Sequence, residues 1–349
     1  MQNLINGKHV DASNGKVIEV INPATRELID TVPASTEEDI NQSVAAAKIA
    51  QKAWAAMPLH KRGDILYRFA DLVEERKEEL AQLLSKETGK PIKEARIEIG
   101  NTRLFAQGYV EKAKHEYGNV IPAGSEPGQE KTIQMTVQQP IGVVACIIPF
   151  NFPCDLFGQK VPSALIMGNS VIVKPASDNP LTLLKYCDIL MEAGVPAGVI
   201  NCVTGSGSVV GSALANHPDV GLITVTGSTE VGADVMSKAG KNITHVMLEL
   251  GGNDAFIVMN DADMDLVMDE LVAGRLYNTG QVCCASKRFL VQKDIKDEFI
   301  KRAVERVRTL KVAMPQQEDA DLGCLINEKA AIRAEEQVKA TINAGARLV

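Results

Sequence analysis

Two adjacent cysteines, Cys283 and Cys284, lie in the segment NTGQVCCASKR and could supply a nucleophilic thiolate. A thiolate attacks carbonyl carbons near neutral pH and forms covalent intermediates that divide one difficult reaction into two easier steps. The alternative is that both cysteines are small hydrophobic residues in a core, which is the more common role of free cysteine. The pair by itself leaves both interpretations open.

Two other side chains could assist such a nucleophile. Glu249 lies in the apolar segment VMLELGG, where burial would raise its pKa toward the value that a general base requires; it could instead be a structural carboxylate in a salt bridge. Asn151 follows an apolar run, where its amide could donate to a developing oxyanion or could cap the next helix. Each residue has a catalytic and a structural interpretation.

The segments that would position these residues follow a regular pattern from Ile141 onward. Short apolar runs bounded by Gly or Pro alternate with helical stretches, which is typical of a parallel sheet covered by helices on both faces. The runs are IGVVACIIP, SVIVKP, VINCVTG, GLITVTG and AFIVM. Ligands bind beyond the carboxyl ends of such strands. The candidate binding loops are therefore Pro149–Asn151, Lys174–Ser177, Thr204–Gly207 and Thr226–Thr229.

Two of these loops are rich in glycine. The first, Gly205–Gly211, has one residue too many for the dinucleotide fingerprint G-x-G-x-x-G, and its glycines could serve only the turn. The second, Gly227–Gly232, brings small residues and hydroxyls into the start of a helix, where exposed backbone N–H groups attract a pyrophosphate. The second loop is the better candidate for phosphate binding.

Local signals also predict where several other elements begin. Ser35 and Thr36 precede two acidic residues in a capping-box arrangement, which predicts a helix start. Asn179, followed by proline, predicts a second helix cap, and Asp263 predicts the cap of the helix that leads to Cys283. The polar segment 119–140, with alternating Thr/Gln and apolar residues, predicts an exposed hairpin of the kind that mediates oligomer contacts.

Length and composition exclude several classes of protein. With 349 residues, the chain has room for about two domains at roughly 150 residues each. The net charge of −7 argues against nucleic acid or an anionic membrane as the main partner. We see no membrane span and no signal peptide. Seven cysteines, an odd number without metal-binding spacing, predict a reducing cytoplasmic location and no metal site.

Five motifs in fixed order closely resemble the NAD(P)-dependent aldehyde dehydrogenase superfamily: PFNFP, GNSVIVKPAS, TVTGSTEVG, LELGG and GQVCCASKR. The segments INPATRELI, ETGKPIKEA and NDADMDLV are similar to the family too, so the resemblance extends from near the N-terminus to the last residue. It implies an α/β fold: a Rossmann-like cofactor domain with a parallel sheet, an oligomerisation hairpin and an α/β catalytic domain.

The resemblance also implies domain boundaries. Residues 1–118 and 141–250 match the dinucleotide-binding domain, residues 119–140 the oligomerisation hairpin, and residues 251–349 the first part of the catalytic domain. The family is longer than this chain, and its E-x-F-G-P motif and C-terminal strand would lie beyond Val349. We therefore expect the sequence to be truncated, the full-length protein to be an active enzyme, and the 349-residue polypeptide alone to be unstable or nearly inactive.

Carried over by position, the resemblance assigns catalytic roles. Cys283 matches the family nucleophile, with Cys284 only its neighbour, Glu249 matches the general base, and Asn151 matches the oxyanion-hole amide, with the backbone N–H of Cys283 as second donor. The positions that match cofactor-binding residues are Ile148, Phe150, Lys174, Ser177, Gly227, Ser228 and Gly232. The implied reaction passes from a thiohemiacetal on Cys283, by hydride transfer to the nicotinamide, to a thioester that Glu249-activated water hydrolyses.

Ser177 carries the cofactor prediction. Members of the family that favour NAD commonly have a glutamate at this place, where it binds the ribose hydroxyls and repels a 2′-phosphate. With Ser177 there instead, we expect use of NADP or of both cofactors, although Asp178 next to it could restore some negative charge.

The sequence defines the substrate and the oligomeric state less closely than it defines the reaction. The region from Asn151 to Pro162 resembles branches that act on lactaldehyde, succinic semialdehyde or glyceraldehyde 3-phosphate, and apolar Val282 disfavours a phosphorylated substrate. We expect a small aliphatic, hydroxy- or semialdehyde and a homodimer or homotetramer. The alternatives are a catalytically incomplete chain that binds nucleotide or a partner, and an enzyme that passes the acyl group to coenzyme A, whose members usually lack this glutamate.

Overall fold

A computed structural model describes all 349 residues, and its main feature is one seven-stranded sheet between layers of helices. The strands are β1 (Asn3–Ile5), β2 (Lys8–Val10), β3 (Val17–Ile21), β4 (Leu28–Pro33), β5 (Val120–Ile121), β6 (Gln134–Met135), β7 (Val143–Ile147), β8 (Ser170–Lys174), β9 (Ile200–Cys202), β10 (Val220–Thr226), β11 (His245–Glu249), β12 (Asp254–Val258) and β13 (Ser286–Val291). The helices are α1 (Glu37–Ala56), α2 (Leu59–Glu75), α3 (Lys77–Thr88), α4 (Ile92–Ala113), α5 (Pro153–Ile166), α6 (Leu181–Ala193), α7 (Ser212–Asn216), α8 (Thr229–Ala239), α9 (Met264–Leu276), α10 (Lys296–Arg308) and α11 (Glu328–Asn343).

The predicted parallel sheet is present. Its strands run in the order β11-β10-β7-β8-β9-β1-β2, and the five from β11 to β9 are parallel. The N-terminal strands β1 and β2 extend this sheet in antiparallel orientation, and Leu4 of β1 pairs with Cys202 of β9. The sequence did not predict this pairing, because it joins segments about two hundred residues apart.

Helices cover both faces of the sheet, as its continuously apolar strands require. On one face, α2 to α6 enclose a core of 40 buried apolar residues that includes Phe69, Phe157 and Tyr186. On the other face, α1, α7 and α8 enclose a second core of 16. Because burial of apolar area is the main stabilising term, most of the stability lies around this sheet.

Helix starts whose caps are local agree with the sequence. The backbone N–H of Thr36, which precedes α1, donates to the Asp39 carboxylate at 2.8 Å, as a capping box requires. The predicted Asn179 cap of α6 is wrong. Glu87 of α3 accepts the N–H groups of Leu181 and Thr182 at 2.8 and 3.0 Å, while the Asn179 amide donates to Phe150 O at 2.8 Å. A remote carboxylate thus replaces the local cap.

Segment 119–140 forms a hairpin in which only β5 and β6 pair. Val120, Ile133 and Met135 are all exposed there.

After the sheet, β12 and β13 form a separate parallel pair packed against α9 and α10 over a core of five buried residues. None of the helices combines the length and the apolar character needed to cross a lipid bilayer.

Candidate active site

The strand register brings the candidate loops to one edge of the sheet. Ile147 of β7 pairs with Lys174 of β8 and with Val225 of β10, and Thr226 of β10 pairs with Glu249 of β11. Because these strands are parallel, the residues that follow them emerge side by side at the carboxyl ends. Residues more than one hundred positions apart in the chain therefore meet here.

The two cysteines lie on a short connection that we call the cysteine turn, residues 277–284. It follows α9, whose start is capped by Asp263 as predicted: the Asp263 carboxylate accepts the N–H of Asp265 at 2.9 Å. Both Cys283 and Cys284 are exposed. The interpretation of the pair as buried core residues is therefore wrong, and both thiols are accessible to a reactant.

Asn151 contacts the cysteine turn directly. One N–H of its amide donates to the carbonyl of Gln281 at 3.0 Å, two residues before Cys283, and this is the only hydrogen bond that its Nδ2 makes. It does not cap α5, which begins at Pro153 after Phe152 without a side-chain cap. The amide is thus held at the nucleophile's loop, with its second N–H free to donate to an oxygen.

Glu249 departs from its predicted environment. It is the last residue of β11, the edge strand of the sheet, and it is exposed. It forms no salt bridge, so the structural alternative is not supported either. Every second residue of β11 faces α8, and Glu249 lies on the opposite, uncovered face. The expectation of a buried carboxylate was wrong because apolar neighbours in an edge strand can face the other side.

The sequence reasoning missed a buried cation near this carboxylate. Lys160 of α5 is 8% exposed, and its Nζ donates to Thr224 Oγ1 at 2.8 Å. Burial lowers the pKa of Lys160, and the charge of Glu249 acts in the opposite direction. The available signal was a lysine within the apolar helical segment FGQKVPSALIM.

Lys174 and Ser177, which the resemblance assigns to the cofactor, lie at and just after the carboxyl end of β8. Lys174 is 4% exposed, and its Nζ donates to Pro175 O at 2.8 Å, its only hydrogen bond. Burial lowers the pKa of Lys174 to about 8, and the nearby charge of Asp178 opposes this shift. Ser177 Oγ donates to Gly205 O at 3.0 Å, which joins two of the candidate loops. A buried ammonium with unused donors fits hydroxyl or phosphate oxygens.

The second glycine loop also suits an anionic ligand. Ser228 caps α8 and accepts the N–H of Val231 at 3.3 Å, so the positive end of this helix faces the sheet edge. Gly227 donates its N–H to Glu249 O at 3.0 Å, and the buried hydroxyl of Thr226 beside it has no partner. At Gly232 a Cβ would lie 2.8 Å from Leu250 Cδ2, so a larger residue there would require the Leu250 side chain to move.

The two remaining cofactor positions follow β7. Ile148 is buried in the larger core, and its N–H donates to Lys174 O at 3.0 Å, so only the backbone of this residue faces the sheet edge. Phe150 is partly exposed, and its carbonyl accepts the Asn179 amide. Together, these loops bring backbone and side-chain donors to one edge of the sheet.

The sequence and the fold are both similar to those of known proteins. A model described as the aldehyde dehydrogenase family matches residues 9–349. The NADP(+) succinate-semialdehyde dehydrogenase of Escherichia coli is 38% identical over 348 residues, which are 100% of this chain and 71% of that protein. A D-glyceraldehyde dehydrogenase (NADP(+)) of Picrophilus torridus is 37% identical over 349 residues, which are 100% of this chain and 70% of that protein. The crystal structure of an E. coli NADP-dependent enzyme superposes with a TM-score of 0.96 at 37% identity, covering 100% of this chain and 72% of that one.

Proposed function

The chain belongs to the aldehyde dehydrogenase family, and on this premise we propose that it oxidises a small aliphatic, hydroxy- or semialdehyde to the carboxylic acid through a Cys283 thioester. Its class, an NAD(P)-dependent oxidoreductase acting on aldehydes, follows from the family. The observation that carries the residue assignment is the 3.0 Å bond from the Asn151 amide to Gln281 O beside the exposed Cys283.

In the first half of the reaction, the Cys283 thiolate adds to the aldehyde carbon, and the electron pair of the carbonyl π bond moves to oxygen. The free N–H of Asn151 and the backbone N–H of Cys283 donate to this oxyanion. Preorganised donors of this kind typically contribute 10²- to 10³-fold to kcat. NAD(P)⁺, when bound, supplies the acceptor for the hydride that leaves the thiohemiacetal carbon.

In the second half, the acyl group remains on Cys283 as a thioester. The Glu249 carboxylate takes a proton from water, the water oxygen attacks the thioester carbon, and the C–S bond breaks. The products are a carboxylic acid and the regenerated thiolate. Glu249 is exposed, so its carboxylate is accessible to a water molecule.

For the cofactor, we propose that Lys174, Ser177 and the Gly227–Gly232 loop hold the nucleotide and that NADP is accepted at least as well as NAD. The short Ser177 side chain supports this, because it carries no charge that would repel a 2′-phosphate. The names of the E. coli and P. torridus relatives both specify NADP(+).

Ser177→Glu tests the cofactor preference. A carboxylate there should lower kcat/KM with NADP by about 10- to 100-fold through like-charge repulsion and leave kcat/KM with NAD within about threefold. Ser177→Gln is the matched control, since it loses the same hydrogen bond to Gly205 O without adding charge. A wild-type kcat/KM for NAD more than about tenfold above that for NADP would contradict the proposal.

The substrate class is tested by steady-state kinetics on a panel of aldehydes. The half-buried, apolar Val282 beside the nucleophile supports an uncharged contact there rather than a phosphate site. We expect lactaldehyde, glyceraldehyde or succinic semialdehyde to show the highest kcat/KM. The highest value with glyceraldehyde 3-phosphate or benzaldehyde would overturn this assignment, and cofactor binding without turnover on any aldehyde would support the catalytically incomplete alternative.

For assembly, we propose a homodimer or homotetramer formed through the hairpin of residues 119–140. Its large apolar side chains are exposed, and such patches mark association surfaces. Light scattering should give two or four times the protomer mass. Ile133→Lys should shift the protein toward monomer, whereas Ile49→Lys, which replaces an equally exposed isoleucine on α1, should not. A monomeric wild-type protein would refute this.

For location, we propose the cytoplasm. All seven cysteines are free in the structure, and four of them are buried in the sheet and its helices. Free cysteines in this number are typical of reducing compartments.

A further inference from the structure

A buried charged cluster lies beneath the candidate active site, and the reaction proposed above does not use it. Its members are Lys90, in the loop before α4, and Glu94 and Glu98 on the first turns of α4; they are 0%, 6% and 1% exposed. Lys90 and Glu98 form an ion pair. We call these three residues the α4 clamp. Because burying charges is costly, each member must have partners, and the partners identify what the cluster holds.

The first group of partners lies around Asn151. Lys90 Nζ donates to the carbonyl of Asn151 at 2.9 Å and lies 3.9 Å from the centre of the Phe152 ring. Glu98 Oε1 accepts the N–H of Cys154 at 2.8 Å. The backbone that carries the oxyanion amide is therefore held at Asn151 and Phe152 by Lys90, just before α4, and at Cys154 by Glu98 of α4.

The second group lies in the cysteine turn. Glu94 Oε2 accepts the N–H of Asn278 at 2.8 Å. Asn278 and Thr279 both have left-handed backbone conformations, with φ of 50° and 54°, which residues with a Cβ rarely adopt. An unfavourable conformation in two consecutive residues persists only where the surroundings hold it.

The two groups are also joined to each other. The Asn278 amide donates to the same Asn151 carbonyl at 2.9 Å, and the ring of Tyr277 stacks on Phe152 with centroids 5.8 Å apart. The Asn151 carbonyl thus accepts from Lys90, just before α4, on one side and from the cysteine turn on the other. This carbonyl oxygen therefore links the two halves of the site, in addition to the Asn151 amide bond to Gln281 O and the Tyr277–Phe152 stacking.

We propose that Lys90, Glu94 and Glu98 are positioning residues that hold the oxyanion amide of Asn151 in a fixed position relative to the cysteine turn. This rests on the proposed roles of Asn151 and Cys283. A displacement of about 1 Å between reacting groups can cost about 10²-fold in rate, so a rigid attachment of both loops to one helix acts directly on the chemical step. Glu94 acts through its acceptor oxygen, since a single N–H bond is its contact with the turn.

Glu94→Ala and Glu94→Gln test the proposal as a pair. The amide of Gln keeps an oxygen that accepts the Asn278 N–H, whereas Ala removes it. We expect Glu94→Ala to lower kcat by about 10²-fold, with cofactor affinity and aldehyde KM within about threefold of wild type, and Glu94→Gln to keep kcat within about threefold. Rates are expressed per cofactor-binding site, so that loss of folded protein does not count as loss of rate.

Two further variants keep the test decisive if Glu94→Ala does not fold. Asn278→Gly suits the left-handed backbone and keeps the N–H bond to Glu94, but it removes the side-chain link to Asn151, so kcat should fall about tenfold with little change in Tm. Glu87→Ala is the control: Glu87 is equally buried and also accepts backbone N–H groups, but those of α6. It should lower Tm with kcat per site unchanged.

Three results would overturn the proposal: unchanged kcat in Glu94→Ala, an equal loss in Glu94→Ala and Glu94→Gln, or unchanged kcat in Asn278→Gly. These results are distinguishable from a failure of the proposed function. If Cys283→Ala is inactive and Glu94→Ala is fully active, the clamp proposal alone is wrong. If Cys283→Ala keeps its activity, the assignment of the nucleophile is wrong.

Discussion

Cys283→Ala is expected to abolish aldehyde-dependent reduction of NAD(P)⁺, with kcat lower by about 10⁴- to 10⁶-fold, the order of loss seen when other covalent enzymes lose their nucleophile. The reason is that no thiohemiacetal forms, so the hydride has no carbon from which to leave. The side chain is exposed, and its removal leaves no cavity in a core. Stability and cofactor binding should therefore be unchanged, and we expect the Tm to stay within about 2 °C.

The measurement is the formation of NAD(P)H at 340 nm, together with cofactor affinity by calorimetry. Cys284→Ala is the matched control, because Cys284 is the exposed neighbour of Cys283 and has no assigned step. It should keep kcat within about threefold. If Cys283→Ala is active and Cys284→Ala is inactive, the nucleophile is Cys284 and not Cys283.

Glu249→Gln is expected to separate the two halves of the reaction. Acylation and hydride transfer do not need this carboxylate, so one equivalent of NAD(P)H per active site should form rapidly. Hydrolysis of the thioester then lacks its base, and the steady-state rate should fall by about 10²- to 10⁴-fold, the usual contribution of general base catalysis. Stopped-flow absorbance records both phases, and mass spectrometry should find the acyl group on Cys283.

The control for Glu249→Gln is His245→Gln, which changes an exposed side chain on the same face of β11. It should leave both phases intact. A wild-type steady-state rate in Glu249→Gln would refute the assignment of the base. Addition of coenzyme A distinguishes the acyl-transfer alternative, since a stoichiometric acyl-CoA product from wild-type enzyme would replace hydrolysis as the second half-reaction.

The sequence was sufficient to predict those features whose physical cause lies within a few neighbouring residues. The starts of α1 and α9 were predicted because their capping bonds join groups two or three residues apart: the Thr36 N–H donates to the Asp39 carboxylate, and the Asp263 carboxylate accepts the N–H of Asp265. The parallel sheet was predicted because a strand covered on both faces must be apolar throughout. Asn179 failed as a cap because Glu87, more than ninety residues earlier, occupies the start of α6.

The sequence by itself determined the residue types and their order: a cysteine, a glutamate and an asparagine, each placed by its motif. Only the tertiary structure decided their environments. Glu249 is exposed because β11 is the edge of the sheet, and Asn151 reaches Gln281 because the cysteine turn after α9 packs against the loop that follows β7. The α4 clamp could not be read from Lys90, Glu94 and Glu98, which in sequence resemble a solvated helix start. Burial and hydrogen-bond partners depend on which remote segments pack together, and no local pattern carries that information.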